Sequence, residues 1–514
     1  MAGGIRMRRL LWPLLALIVV ALVGYQVMRR RAAPQQAGSA SPEFAELTES
    51  GPEVDAFRRA SENANVVVCV LDAARPDHVG YYGYPRETTP NIDRIAGQSL
   101  VFDNHFSQYP QTTESTTSLF TSQYPDTHLA TTARALPEST LTIARGLKPA
   151  GYYTAIFTMH IAVSAATGIG VDFDHNVLIG GRDWSDRLGV PEGDRTAEGL
   201  IEAVTEWLES NPQTPFFMYI HFTPPHYPYN APDELTQLFA GQTPPTLWRG
   251  SSDLPGANAA VSPMDPMPMP DQVNLYDANL RHADWAVGQL EAALADTGLL
   301  DSTIFIVTAD HGEPFGEHEY RWHSNCPYDE AIHIPLIMKF PGDTILPRRI
   351  GALTQSIDLL PTIFDVLNVS YRAEGVQGQS LLPVLAGQVD EVNDYIISHT
   401  ARSQERSSGL LSLANPSWYV IRDHDWSLIL EEGGEPRALY NLEADPRQTR
   451  NVIDEEPERA AEMKEAFVAF ASAQTRRPLR VGGAIISREP PPEGRQIELS
   501  DDVRRELRSL GYVQ

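Results

Sequence analysis

Five short apolar runs constrain this chain more than any other feature: VVVCVLD (66–72), YYTAIFT (152–158), PFFMYIHF (215–222), TIFIVTAD (303–310) and IPLIMKF (334–340). Each is nearly continuous rather than alternating, so each predicts a strand buried on both faces. Between them lie segments of helical period, TAEGLIEAVTEWLES (196–210) and LYDANLRHADWAVGQLEAALADTG (275–298). Strands alternating with helices predict an α/β fold, a mostly parallel sheet sandwiched by helices. After about Asp394 the pattern changes. SWYVIRDHDWSLILEE and PRALYNLEADP read as antiparallel strands and EPERAAEMKEAFVAFASAQ as an amphipathic helix, which predicts a small C-terminal antiparallel α+β subdomain.

The N-terminal stretch LLWPLLALIVVALVGYQVM, Leu10 to Met28, is uncharged and apolar. At ~1.5 Å per residue it spans the ~30 Å hydrocarbon core of a bilayer, so it predicts a transmembrane anchor. A cleaved signal peptide is the rival, but the run is longer than an h-region and no A-x-A site follows it. Arginines flank both ends (Arg6, Arg8, Arg9 and Arg29, Arg30, Arg31), so loop charge does not orient the span. The expectation is a single-pass membrane protein whose catalytic part is extracytoplasmic, periplasmic or extracellular. The segments expected are a basic stretch 1–9, the anchor 10–28, a linker 29–62, a catalytic domain 63–393, the subdomain 394–475 and a tail 476–514 ending in a short helix, DDVRRELRSLGYV. The Pro-rich stretch 230–270 reads as an insertion of the kind that lines binding sites.

A formal net charge of −27 repels nucleic acid, so no nucleic-acid partner is expected. It also means that an anionic substrate needs a metal or a focused cationic pocket. The two cysteines, Cys69 inside the first apolar run and Cys326 in HSNCPYDE, make no disulfide framework.

Three apolar runs end in groups foreign to a core: Asp72, the series Asp310-His311-Gly312-Glu313, and His221 followed by His226. Ligands of open parallel sheets bind outside the carboxyl ends of the strands. Two carboxylates and a histidine delivered to one sheet edge suit a hard-to-borderline divalent metal. Taken singly, an Asp ending a strand is an ordinary helix cap and a lone DHG an ordinary turn; their coincidence on one edge is what points to chemistry. Residues 111–119, QTTESTTSL, form a hydroxyl-rich loop expected at the same edge.

These segments, in order, resemble the sulfatase family of the alkaline phosphatase superfamily. The resemblance is carried by NVVVCVLDAARPDHVGYYGYPRETTPNIDRIA, SLFTSQYPDTH, PFFMYIHFTPPHYPY, TADHGEPFGEHEYRWHSNCPYDEAIHIPLIM, QSIDLLPTIFDVLNV, GVQGQSLLPVLAG and LYNLEADPRQTRNV, from about Asn63 to Phe470. It implies an alkaline phosphatase-like fold and a sulfuric or phosphoric ester hydrolase.

Aligning Leu119-Phe120-Thr121-Ser122 with the family's Leu-x-Thr-Gly puts the nucleophile position at Thr112, with Thr113 and Ser115 as reserves. Family members that use formylglycine carry Cys or Ser there, followed by x-Pro-x-Arg. Here Glu114 and Thr116 stand in place of the Pro and Arg, so no formylglycine is expected. A threonine hydroxyl is activated when a divalent metal lowers its pKa.

The resemblance implies one divalent metal, Zn, Mn, Ca or Mg, on Asp72, Thr112, Asp310 and His311. Ala73 replaces a second Asp usual in calcium-type sites, and His311 replaces a common Asn, which moves preference toward Zn²⁺ or Mn²⁺. Two-zinc relatives need an Asp-x-x-x-His pair that is missing near His221 and His226, so a single metal is the simpler expectation. His226 and His323 match positions that contact the ester or protonate the leaving group. Arg75 and His318 match candidate substrate contacts, with a loop-holding salt bridge the other reading for Arg75; His160 is a peripheral candidate. The substrate expected is an anionic ester, with a glycan or lipid as the candidate carrier. Two other readings stay open: a phosphoryl head-group transferase and a degenerate, non-catalytic binding protein.

Overall fold

A computed structural model describes residues 44–131, 134–165, 168–179, 197–245, 252, 254, 267–321, 323–400, 417–474, 479–481 and 484–486. Eight strands form its main sheet: β1 (Asn65–Leu71), β2 (Leu100–Phe106), β3 (Tyr153–Thr158), β4 (His175–Leu178), β5 (Phe216–Phe222), β6 (Thr303–Ala309), β7 (Leu336–Lys339) and β8 (Arg348–Gln355). Their order is β4-β3-β5-β1-β6-β7-β2-β8. All pairings are parallel except those of β7, which runs against β6 and β2. The run IPLIMKF is therefore a strand, as its composition predicts, but the antiparallel one.

Every residue of β1 is buried, as its unbroken apolar run requires. Its side chains alternate between the two faces, Val66, Val68 and Val70 on one and Val67, Cys69 and Leu71 on the other. Burying a side chain of this size stabilises by about 1.5–3 kcal/mol, so the central strand is firmly held. The first face is covered by α1 (Pro52–Ala60) through Val54 and Phe57, by the helix Thr112–Thr121, and by Leu359–Val366. The second is covered by α2 (Pro90–Ala96), by the helix Ala197–Glu209 and by the long helix Met269–Asp296.

Two expectations need correction here. The linker predicted over 29–62 ends earlier than its composition suggests: Phe57 stacks edge-on against Phe340 at 5.0 Å, and Arg58 pairs with Asp365 at 2.8 Å. Those contacts make α1 part of the core. The hydroxyl-rich stretch is also no loop. It folds as α3 (Thr112–Thr121), in which Thr117 and Thr121 bond back to the carbonyls of Thr113 and Thr117 at 2.6 and 2.7 Å, which satisfies hydroxyls that burial would otherwise strand.

The C-terminal sheet is antiparallel, with β9 (Ile396–His399), β10 (Trp418–Arg422), β11 (Trp426–Glu431) and β12 (Pro436–Asn441) in the order β12-β11-β10-β9. The helix Pro457–Gln474 covers one face through Met463 and Phe467. The other face, with Trp418, Val420 and Tyr440, shares a core with Phe106, Tyr320, Tyr328 and Leu353 of the main domain. The anchor Leu10–Met28, the tail helix and most of the 246–266 stretch lie outside the described residues. Among the described residues no helix is long and apolar enough to cross a membrane.

Candidate active site

The three central strands end level. Leu71 of β1 pairs with Phe222 of β5 and with Ala309 of β6, so the next residues, Asp72 and Asp310, leave the sheet side by side. One oxygen of each carboxylate, Asp72 Oδ1 and Asp310 Oδ2, is buried with no hydrogen-bond partner. His311 Nε2 lies 3.5 Å from the first and 3.6 Å from the second. Its Nδ1 donates to the Gly312 carbonyl at 2.9 Å, which leaves Nε2 as the lone-pair nitrogen. That nitrogen is also 3.2 Å from Thr112 Oγ1.

Asp72, Asp310 and His311 thus offer ligand atoms within 4.8 Å of one another, all buried. Unpartnered buried carboxylate oxygens are costly unless a cation takes the place of the missing donors, so the donor set fits a divalent metal. The other oxygen of Asp72 faces His221 Nε2 at 3.3 Å, and His221 Nδ1 meets the Tyr219 hydroxyl at 3.0 Å. His160 Nε2 stands 3.8 Å from the same oxygen.

Electrostatics follow burial. Burial and the neighbouring Asp310 charge push the Asp72 carboxyl well above its usual range. For Asp310 burial acts the same way but is outweighed by His311, His221 and the backbone N–H groups of Ala73 and His311, so its carboxyl is lowered. Burial lowers His311 and His221 to about 4.

Thr112 is the first residue of α3, so its hydroxyl sits at the positive end of the helix dipole, where negative charge on oxygen is favoured. Of the reserve hydroxyls, Ser115 turns back to the Thr112 carbonyl at 3.2 Å. Opposite lies a second group, His226, Glu313 and His323, again with ligand atoms within 4.8 Å. The His323 ring stacks on His311 at 4.3 Å and faces His226 at 5.2 Å. Burial pushes the Glu313 carboxyl up to about 7 and lowers His226.

The structure brings together Asp72, Thr112, Asp310, His311, His226 and His323. The two expected substrate contacts, Arg75 and His318, have their polar atoms engaged by protein groups. Arg75 gives its donors to Asp77, Glu317 and the Glu313 carbonyl at 2.8–2.9 Å, so it braces the loop after β6. His318 is held by Glu330 at 2.8 Å and the Gln448 carbonyl at 3.0 Å, and stacks on Tyr328 at 3.6 Å. It ties that loop to the C-terminal subdomain. Sequence reasoning gave no role to Glu313 or to His221, although both sit in the segments that end the strands.

The family described as Sulfatase matches residues 64–369. The chain belongs to the sulfatase family. A second family, described as N-sulphoglucosamine sulphohydrolase, C-terminal, matches residues 316–471, which covers the small sheet and its helix. The chain is 28% identical to iduronate 2-sulfatase of Homo sapiens over 382 residues, 63% of this chain and 68% of that protein. It is 24% identical to an arylsulfatase of Clostridium perfringens over 452 residues, 76% of this chain and 90% of that protein. The fold matches phosphonate monoester hydrolase of Agrobacterium radiobacter with a TM-score of 0.69 at 21% identity, covering 83% of this chain and 100% of that one. This sulfatase-family chain is thus a sulfuric or phosphoric ester hydrolase with an alkaline phosphatase-like fold. Enzymes of the family depend on a metal, and the site offers residues to hold one.

Proposed function

We propose that the protein cleaves a phosphate or sulfate ester, with phosphate the better fit, by attack of the Thr112 hydroxyl. The carrying observation is Thr112 Oγ1 at 3.2 Å from His311 Nε2, at a helix N-terminus, beside two buried carboxylate oxygens that lack hydrogen bonds. Asp72, Asp310 and His311, with the Thr112 oxygen, would hold the metal, Zn²⁺ or Mn²⁺ by the nature of the donors. A divalent cation supplies charge for the non-bridging oxygens and eases ionisation of the hydroxyl.

The residues of the chain do the rest. Thr112 loses its hydroxyl proton to solvent as it forms the new O–P or O–S bond in line with the leaving oxygen, and His323, beside His226, gives that oxygen a proton as the ester bond breaks. His221 holds Asp72 in place. Water then attacks the threonyl ester at its central atom and frees Thr112. That second displacement is open at phosphorus, which is why a plain alcohol nucleophile favours phosphate. We also propose that Leu10–Met28 anchors the enzyme in a membrane with its catalytic part extracytoplasmic, where an ester on a glycan or lipid is within reach.

The test is turnover of paired aryl sulfate, aryl phosphate monoester and phosphodiester substrates with defined divalent metals. Thr112→Ala is expected to lower the preferred turnover by about a thousandfold or more. A folded Thr112→Ala variant with wild-type turnover would sink the scheme, and a stable Thr112 adduct without product release would turn it toward group transfer.

A further inference from the structure

We infer that His226, Glu313 and His323 form a second divalent-cation position beside the first. This rests on the reading of Asp72, Asp310 and His311 as the first position and deepens it. The ligand set differs from the Asp-x-x-x-His pair sought in the sequence, which is why the sequence pointed to a single metal.

Geometry is the first argument. His323 Nδ1 lies 3.3 and 3.2 Å from the two Glu313 oxygens. That is long and shared for a charge-assisted hydrogen bond, which is typically ~2.7–2.9 Å. It matches instead the spacing of about 3.4 Å between neighbouring ligand atoms of a tetrahedral site with bonds of ~2.1 Å. The first group shows the same spacing, 3.5 and 3.6 Å from His311 Nε2 to its carboxylates. His226 donates its Nδ1 to the Tyr227 carbonyl, as His311 does to Gly312, so that Nε2 is the ligating nitrogen in both.

Position and charge are the second. Both groups lie beyond the ends of the three central strands and share the segment after β6, and the ring of His323 stacks on that of His311 at 4.3 Å, so the two positions are adjacent. Asp72, Asp310 and Glu313 put three buried carboxylates where an anionic ester must bind. Arg75, which reaches this loop, is committed to Asp77, Glu317 and a carbonyl. One divalent cation leaves the carboxylates in excess before an anionic substrate adds more negative charge, and like charges at low dielectric repel strongly. A second cation reverses that balance. It would stabilise the leaving oxygen in place of a proton from His323, as paired metals do in phosphoryl transfer.

The experiment uses the purified protein, stripped by a chelator, re-equilibrated with Zn²⁺ alone and assayed for bound zinc by mass spectrometry and calorimetric titration. Wild type is expected to hold two equivalents. Glu313→Gln and, separately, His226→Ala are each expected to hold one, with the thermal melting of the metal-free forms confirming that they are folded. Asp310→Asn is expected to lose the other equivalent. A wild-type protein with one equivalent that Glu313→Gln retains overturns the inference and leaves the proposed function standing; so do two equivalents retained by both Glu313→Gln and His226→Ala. Full zinc occupancy in Asp310→Asn counts against the first position instead.

Discussion

In the proposed scheme residue 112 acts through one oxygen, so its methyl group is dispensable where its hydroxyl is not. Thr112→Ser is expected to keep turnover within about tenfold of wild type while Thr112→Ala does not, a contrast that steady-state kinetics reads directly. Ala73 is a second informative residue. It follows Asp72 with φ 63°, a left-handed conformation, and its N–H donates to Asp310 Oδ1 at 3.1 Å. A side chain held there is strained by roughly 1–2 kcal/mol, so Ala73→Gly is expected to raise stability by about 1 kcal/mol in urea unfolding. Asp72, Asp310 and His311 stood out as candidates in the sequence because each ends or follows an apolar run. Glu313 stood in the same series but received no role, since nothing in DHGE separates a candidate ligand from a turn residue. Arg75 and His318 were legible as important but not as to role, because their partners Glu317, Glu330 and Gln448 come from other parts of the chain.

At the scale of elements, strands with unbroken apolar runs were legible and those with polar residues were not. LVFDNHF (β2) carries the half-buried Asp103 and Asn104, RRIGALTQ (β8) exposes Arg348 and Arg349 on the edge strand, and the hydroxyls of α3 obscured its helical character until burial and back-bonding were visible. On β2, His105 donates Nδ1 to Thr354 at 2.9 Å, while its buried Nε2 has no partner. Burial, with His333 nearby, lowers this imidazole to about 3. Between that value and the unfolded value near 6.5 the unfolded chain binds more protons, so stability is lost as pH falls through this window. His105 alone accounts for about 1.4 kcal/mol between pH 7.5 and 5.5, and His105→Gln is expected to flatten the pH dependence of the urea midpoint accordingly. The end of α3 is pinned by Ser122, whose hydroxyl donates to the Ile357 carbonyl at 2.7 Å and accepts from Gly378 N at 3.0 Å. A Cβ at Gly378 would lie 2.1 Å from that carbonyl. Gly378→Ala is expected to cost about 1–3 kcal/mol, measured as a lower unfolding midpoint.

For the whole molecule, the C-terminal sheet is no separate unit, because Trp418, Val420 and Tyr440 pack into one core with Phe106, Tyr328 and Leu353. Arg422 also bridges to Asp329 at 2.6 Å across that boundary. Scanning calorimetry of the protein is expected to show one transition, not separate ones for a catalytic domain and a subdomain. Two resolved transitions would mean that the shared core contributes little. The order of strands in space also sets a schedule for synthesis. β1 occupies the centre of the sheet, yet its neighbours β5 and β6 begin only at Phe216 and Thr303. At ~5–20 residues per second a growing chain carries its most apolar strand without partners for roughly ten seconds or more. During that interval NVVVCVL is an open template for other nascent chains, so the yield of folded enzyme in a cell depends on chaperone capacity while the ribosome finishes the sheet.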